Sequence, residues 1–183
     1  GFGYISINFF FIYQVERSVP GSGDGSIERL TGFSIAEKLA SFLWNSIPDE
    51  ELLSAAELGD LDSQAGVLAQ ANRMINDPKS AEAFADFIEQ WFETELIVDA
   101  QKDDQAYPQF TDNLKAGMRE ETKMFVKWMV ENDQFNYQEL LMSSKVFPGQ
   151  ALADFYNVAP QSEGTPVDLD ERVGILTHPS LTA

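Results

Sequence analysis

The chain has 183 residues, 30 acidic against 12 basic, for a formal net charge of −18; 44% of residues are apolar, among them 14 Phe, 5 Tyr and 3 Trp. A field of that sign repels phosphate backbones and anionic lipid surfaces, which excludes nucleic acid as a natural partner. With no cysteine, disulfides, thiolate nucleophiles, Cys zinc sites, iron–sulfur ligation and covalent CxxCH haem attachment are all excluded within the chain. The acidity reads as solubility or life in a salty medium; the sharper alternative is an acidic face for a basic partner or for cations. A chain this long can bury about 70% of its unfolded surface, and its composition is that of a globular domain. No apolar run reaches the roughly 20 residues that a membrane helix needs.

The chain starts at Gly1, without Met or a signal peptide, and reads as a processed or excised piece. Residues 2–17 are apolar and aromatic with a charged end; helix is expected, because the other clear elements are helical. The Gly- and Ser-rich stretch within 18–30 reads as an exposed linker to a helical body. It is not a phosphate loop, because no Gly-Lys-Ser/Thr follows and Asp24 repels phosphate. A helix opens at Thr31 or Ser34, where Glu37 completes capping-box spacing. Its polar residues form one narrow stripe, so it is expected to be buried, with Phe42, Leu43 and Trp44 in the core.

Pro48 stops that helix. Asp49 caps the next, with Glu50 and Glu51 in the dipole-favoured first turn and Leu52, Leu53, Ala56 and Leu58 as its apolar side up to Gly59. Asp62 or Ser63 caps a third helix. Asp77 and Pro78 open a fourth, with cap and first-position proline, whose stripe is Ala81, Phe84, Ala85, Ile88, Trp91 and Phe92. A polar loop covers 98–104. Thr111 caps the longest helix, 111–131. Leu114, Met118, Phe125, Trp128 and Met129 form its inner stripe, and Lys115, Arg119, Glu120, Lys123 and Lys127 its wet side. Glu121 and Thr122 interrupt the inner stripe. Short helices at 136–142 and 149–156 follow. Residues 157–183 form an irregular tail with a strand-like end, expected to continue into a further domain. The apolar end, 173–183, is expected to pack back as an extended segment or to meet a partner. The sum is an all-α fold, one helical domain over 1–183 with six to eight packed helices.

Metal and nucleophile chemistry are poorly supplied. His178 is the only histidine, so neither Glu-x-x-His pairs nor His-Glu-x-x-His can form, and no metal or cofactor site is expected. The 60–64 stretch starts like an EF-hand loop, but Ala65 and Ala71 stand where the turn glycine and the bidentate Glu belong. No serine sits in a Gly-x-Ser-x-Gly elbow. The carboxylates placed for half burial are Glu16, beside the aromatic run, Glu89, near Trp91, and Glu121, on the apolar stripe. These three are the candidates for acid–base catalysis. The alternative is that each has a structural partner such as Arg17, Arg73 or Arg119.

The stretch Leu30–Leu52, with its Phe-Leu-Trp helix end and Pro-Asp-Glu-Glu-Leu corner, resembles a domain of unknown function. That domain occurs in planctomycete-type, cytochrome c-associated bacterial extracytoplasmic proteins. Phe11-Ile12-Tyr13-Gln14-Val15-Glu16, Phe87-Ile88-Glu89-Gln90-Trp91-Phe92, Tyr107-Pro108-Gln109-Phe110, Met118-Arg119-Glu120-Glu121-Thr122 and Val173-Gly174-Ile175-Leu176-Thr177 fit the same pattern in order. Gln14 stands for an arginine, and His178 for a glutamine, which argues against a family role for His178. The resemblance implies an extracytoplasmic location (periplasmic, cell-surface or secreted) and neighbouring domains of the same polypeptide as partners, a c-type cytochrome domain among them. It carries no activity and no catalytic residues. Two functions follow. One is a structural or interaction domain of a larger secreted redox protein, without catalysis or cofactor of its own. The other is part of an enzyme whose site neighbouring domains complete, using Glu16, Glu89 or Glu121.

Overall fold

A computed structural model describes residues 16–23, 28–162 and 164–183. The fold is all-α, with a two-stranded sheet as its only regular β-structure among the described residues. The chain divides into two compact units, Gly1–Arg73 and Met74–Ala183. The helix expected over 2–17 lies outside the described residues except at Glu16 and Arg17, which are not helical.

In the first unit the segment after Glu16 is tied back to the start of the first helix. Thr31 N donates to Arg17 O at 2.9 Å and Val19 N to Arg29 O at 2.7 Å, around an antiparallel bridge between Ser18 and Leu30. Helix α1 spans Gly32–Trp44 with Thr31 as its cap; the Thr31 side chain accepts from Ser34 N. Ser34 is itself buried and accepts from Arg17 N at 3.0 Å. Ala36, Ala40, Leu43 and Trp44 form the buried stripe. Phe42, expected in the core, is 83% exposed. It lies about 200° round the helix from Ala40, on the side away from the face that Ala36 and Ala40 bury.

Asn45 ends α1 in the left-handed region at φ 49. Helix α2, Glu50–Glu57, follows with Asp49 as its cap. Its buried side is Leu52, Ala55 and Ala56, while Leu53 and Leu58 are exposed. The two helices approach closely at Gly32, where a Cβ would lie 3.0 Å from Ala56 O. A 3-10 turn, Asp60–Asp62, buries Leu61. Helix α3, Gln64–Ile75, is capped by Ser63, whose hydroxyl accepts from Gly66 N at 3.1 Å. Arg73 reaches from α3 to the Asp49 corner, with Nη1 and Nη2 at 2.8 and 3.0 Å from the two carboxylate oxygens. Its guanidinium also lies 5.4 Å from the Trp44 ring centroid. A bidentate pair of this kind is geometrically specific, so Asp49 both caps α2 and anchors α3.

In the second unit helix α4, Pro78–Phe92, is capped by Asp77 with proline in its first turn. Helix α5, Asp112–Glu131, is capped by Thr111. Lys127, Lys123 and Arg119 on α5 pair with Glu82, Asp86 and Glu89 on α4. The rising order on one helix against the falling order on the other makes the two antiparallel. Between them Ala85 and Ile88 pack with Phe125, Val126 and Met129. Trp91, expected on the α4 inner stripe, is 59% exposed and lies against exposed Phe87 with the ring centroids 5.6 Å apart; Glu89, held by Arg119, takes the buried place instead.

A 3-10 segment, Thr94–Asp99, precedes α5 where loop was expected to begin at 98. Lys115, expected on the wet side of α5, is buried. Its ammonium donates to Val98 O and Ala100 O at 2.9 and 3.3 Å, satisfying carbonyls that the end of the 3-10 segment leaves free. Below it, Ile97, Leu114, Met118 and Leu152 form a second apolar cluster.

Helix α6, Tyr137–Met142, leads to strand β1, Lys145–Val146. Helix α7, Gln150–Tyr156, follows. Strand β2, Val167–Asp168, pairs antiparallel with β1. The end of the chain packs back, but not as a strand. It makes a 3-10 turn, Ile175–Thr177, and helix α8, Pro179–Thr182. Proline at the first helical position favours that turn of helix. Gly174 N donates to Ser143 O at 2.7 Å, and Ile175 and His178 are buried. Gly174, at φ 65, passes so close to Leu141 that a Cβ would lie 2.2 Å from its carbonyl carbon.

Candidate functional site

The polar interruption in the α5 stripe is the centre of the most unusual site in the second unit. Glu121 and Thr122 are each 1% exposed. They face inward because α5 carries Met118 and Phe125 on the same side, one turn before and one turn after. Glu121 accepts from Tyr156 Oη at 2.6 Å and from Phe147 N at 3.3 Å. Burial pushes its carboxyl up to about 7, against the opposing effects of those two hydrogen bonds and the Arg172 charge. The Tyr156 phenol is pushed up well beyond its ordinary range, by burial first and then by Glu121, so it keeps its proton and donates to Glu121.

Thr122 Oγ1 bridges two groups of the tail, His178 Nδ1 at 3.0 Å and Ser180 Oγ at 2.7 Å. Burial, with the charge of Arg172, pulls His178 down to about 3. The imidazole is therefore neutral, and its ring packs edge-on against Phe125 at 4.9 Å between centroids. Arg172 donates to Thr177 O and lies 5.0 Å from the Tyr156 ring centroid. Glu121 also lines a cavity of about 280 Å³ bounded by α5, the 147–152 segment and Gln161, Ser162, Gly164 and Thr165.

Glu89 and Glu16 are placed differently. Glu89 is 6% exposed, is paired with Arg119 and lies 3.9 Å from Lys123. The Arg119 hydrogen bond holds its carboxyl below the usual range. Glu16 is in the first unit, exposed, and paired with Lys38. Within the second unit, Glu89 and Glu121 share no partner among the described residues. Glu121 has chemistry near neutrality: it can take or give a proton, or hold a cation. Neither Thr122 nor Ser180 is activated as a nucleophile, since the adjacent imidazole is too weak a base at about 3. Among the described residues no three His, Asp or Glu side chains group as a metal site requires.

Tyr156, Arg172 and Ser180 were not visible from the sequence, because they reach Glu121 and Thr122 across 35 residues or more. The one available signal was a charged residue breaking an apolar helical stripe.

The family model described as PSD4, protein of unknown function (DUF1592), matches residues 30–158. The match takes in α1 to α7, with Glu89, Glu121 and Tyr156; Glu16, Arg172 and His178 fall outside it. No curated protein and no solved structure matches the chain. A family match running over well more than half of the chain decides its membership: it belongs to the DUF1592 (PSD4) family of proteins of unknown function.

Proposed function

We propose that the chain is a structural or interaction domain of a larger, secreted, cytochrome c-associated bacterial protein, with no catalysis of its own. The observation that carries this reading is that the two candidate carboxylates of the second unit share no partner among the described residues. Glu89 sits in a ladder of ion pairs between two helices and Glu121 is held by Tyr156 and Phe147, while Glu16, in the first unit, is in an exposed ion pair. Acid–base catalysis needs groups positioned together around a reacting atom. Phe87 and Trp91, exposed one turn apart on α4, support the interaction part, since aromatic side chains are enriched where proteins meet. The extracytoplasmic setting and the cytochrome neighbour rest on the sequence resemblance. The test replaces Glu16, Glu89 and Glu121 together by glutamine in the full-length protein and follows its redox turnover. Retention of turnover within about twofold is expected; a fall of a hundredfold or more in a folded variant would overturn the reading.

One observation favours the second reading, a site completed by neighbouring domains. Glu121 titrates near 7 beside a cavity, where a general acid or base works best. In that case Glu121→Gln alone would abolish the turnover, while Glu89→Gln would leave it intact.

A further inference from the structure

The walls of the cavity beside Glu121 have a consistent chemistry. Met124, Phe147 and Leu152 give it apolar sides, and among the described residues Glu120 and Glu121 are the only charged ones in its lining, with no lysine, arginine or histidine there. Glu121 is 99% removed from solvent and uses its Oε2 for Tyr156 and its Oε1 for a longer contact, 3.3 Å, with Phe147 N. An ionised carboxylate has about four acceptor positions, so two donors leave acceptor capacity unused, and Glu121 lines the cavity. The polar rim is made of amides and hydroxyls, Gln161, Ser162 and Thr165. We infer that this cavity is a binding site for a small organic cation of the alkylammonium class, with the ammonium on Glu121 and the alkyl chain against Met124, Phe147 and Leu152.

The alternatives fit less well. An anion would meet Glu120 and Glu121 without a compensating cation. A purely apolar ligand would leave Glu121 to be desolvated further without a partner. A volume of about 280 Å³ suits a few carbons and a head group. The titratable and charged groups around Glu121 are Glu120 on its own helix, Tyr156 on α7, Arg172 before Gly174, and His178 through Thr122. Tyr156 and His178 stay neutral over the working range, and Arg172 is engaged by Thr177 O and the Tyr156 ring. Glu121 is the group whose charged form the ammonium requires. A cation that requires its ionised form displaces its proton, and affinity rises with pH.

The experiment uses n-butylammonium as probe and n-butanol as its neutral isostere, with binding to the full chain followed by NMR titration and calorimetry at pH 6 and pH 8. Butylammonium is expected to shift the Met124 methyl and Phe147 resonances saturably, bind about tenfold tighter at pH 8 than at pH 6, and release a proton. Butanol is expected to bind at least tenfold more weakly. Glu121→Gln should remove the preference for the cation and its pH dependence. Gly149→Leu is the second variant. Gly149 lines the cavity, a Cβ there meets nothing within 4 Å and its φ is negative, so a leucine is accommodated at the cavity wall and is expected to block both probes. Equal binding of butanol and butylammonium, no saturable shift with butylammonium, or unchanged butylammonium binding in Gly149→Leu would overturn the assignment.

Discussion

Tyr156 Oη donates to Glu121 Oε2 across 2.6 Å, joining α7 to the middle of α5 inside the second unit. The bond satisfies one oxygen of a carboxyl that is otherwise held in an apolar interior, where an unpartnered charge would be costly. It also fixes which way the carboxyl faces, and so which wall of the cavity carries the charge.

The pH dependence of stability follows from this arrangement. Glu121 is raised to about 7 from 4.5, so between those values the folded chain binds more protons at this site than the unfolded chain. The slope of stability with pH is then negative, and the cost is complete above pH 7, on the order of 3 kcal/mol. Urea unfolding of Glu121→Gln beside the unsubstituted chain should show the variant gaining relative stability from pH 5 to pH 8. A constant difference across that range would show that Glu121 does not titrate there.

His178 works in the opposite direction. Its folded-state value of about 3 lies below the ordinary 6.5, so its contribution is complete above 6.5 and is lost as pH falls toward 3. Between 4.5 and 6.5 the two groups offset each other. His178→Gln should therefore expose the Glu121 slope, with stability falling as pH rises through this window.

Thr122 ties the tail to α5 through His178 and Ser180. Thr122→Val keeps the shape and removes the hydroxyl that both partners use. The expected cost is about 1–3 kcal/mol, that of leaving buried polar groups unpaired. Amide exchange at residues 175–182 should speed up more than exchange at 116–130; equal effects would mean that the tail is held by packing alone.

Trp44 is 4% exposed beneath Arg73 and next to the Asp49 corner. Trp44→Ala should cost about 3–5 kcal/mol, as truncation of a core aromatic does. Gly174→Ala should cost at least about 3 kcal/mol, because a Cβ would meet Leu141 backbone at 2.2 Å in a left-handed region. Thermal unfolding measures both, and a melting temperature within 2 °C or so of the parent would contradict either placement.

The helix starts were legible because each is a local event. Thr31, Asp49, Asp77 and Thr111 all cap the helices that their spacing announces, since a cap needs only a side chain and an amide two or three residues on. Faces were less legible. Phe42 and Trp91 look like core by size and lie outside, while Lys115 looks solvated and is buried on two carbonyls. What decides those positions is the element across the interface, which no local pattern encodes. Glu121 stood out as a break in an apolar stripe, but its partners did not: Tyr156 and Phe147 come from 35 and 26 residues away, and nothing about either residue alone marks it.

The interaction role is tested most directly by amide exchange over residues 78–96, measured on this chain alone and on the same residues within the full-length protein. The account predicts that the segment around exposed Phe87 and Trp91 gains protection at least tenfold in the full-length protein, with 116–130 unchanged. Identical exchange in both settings would contradict it.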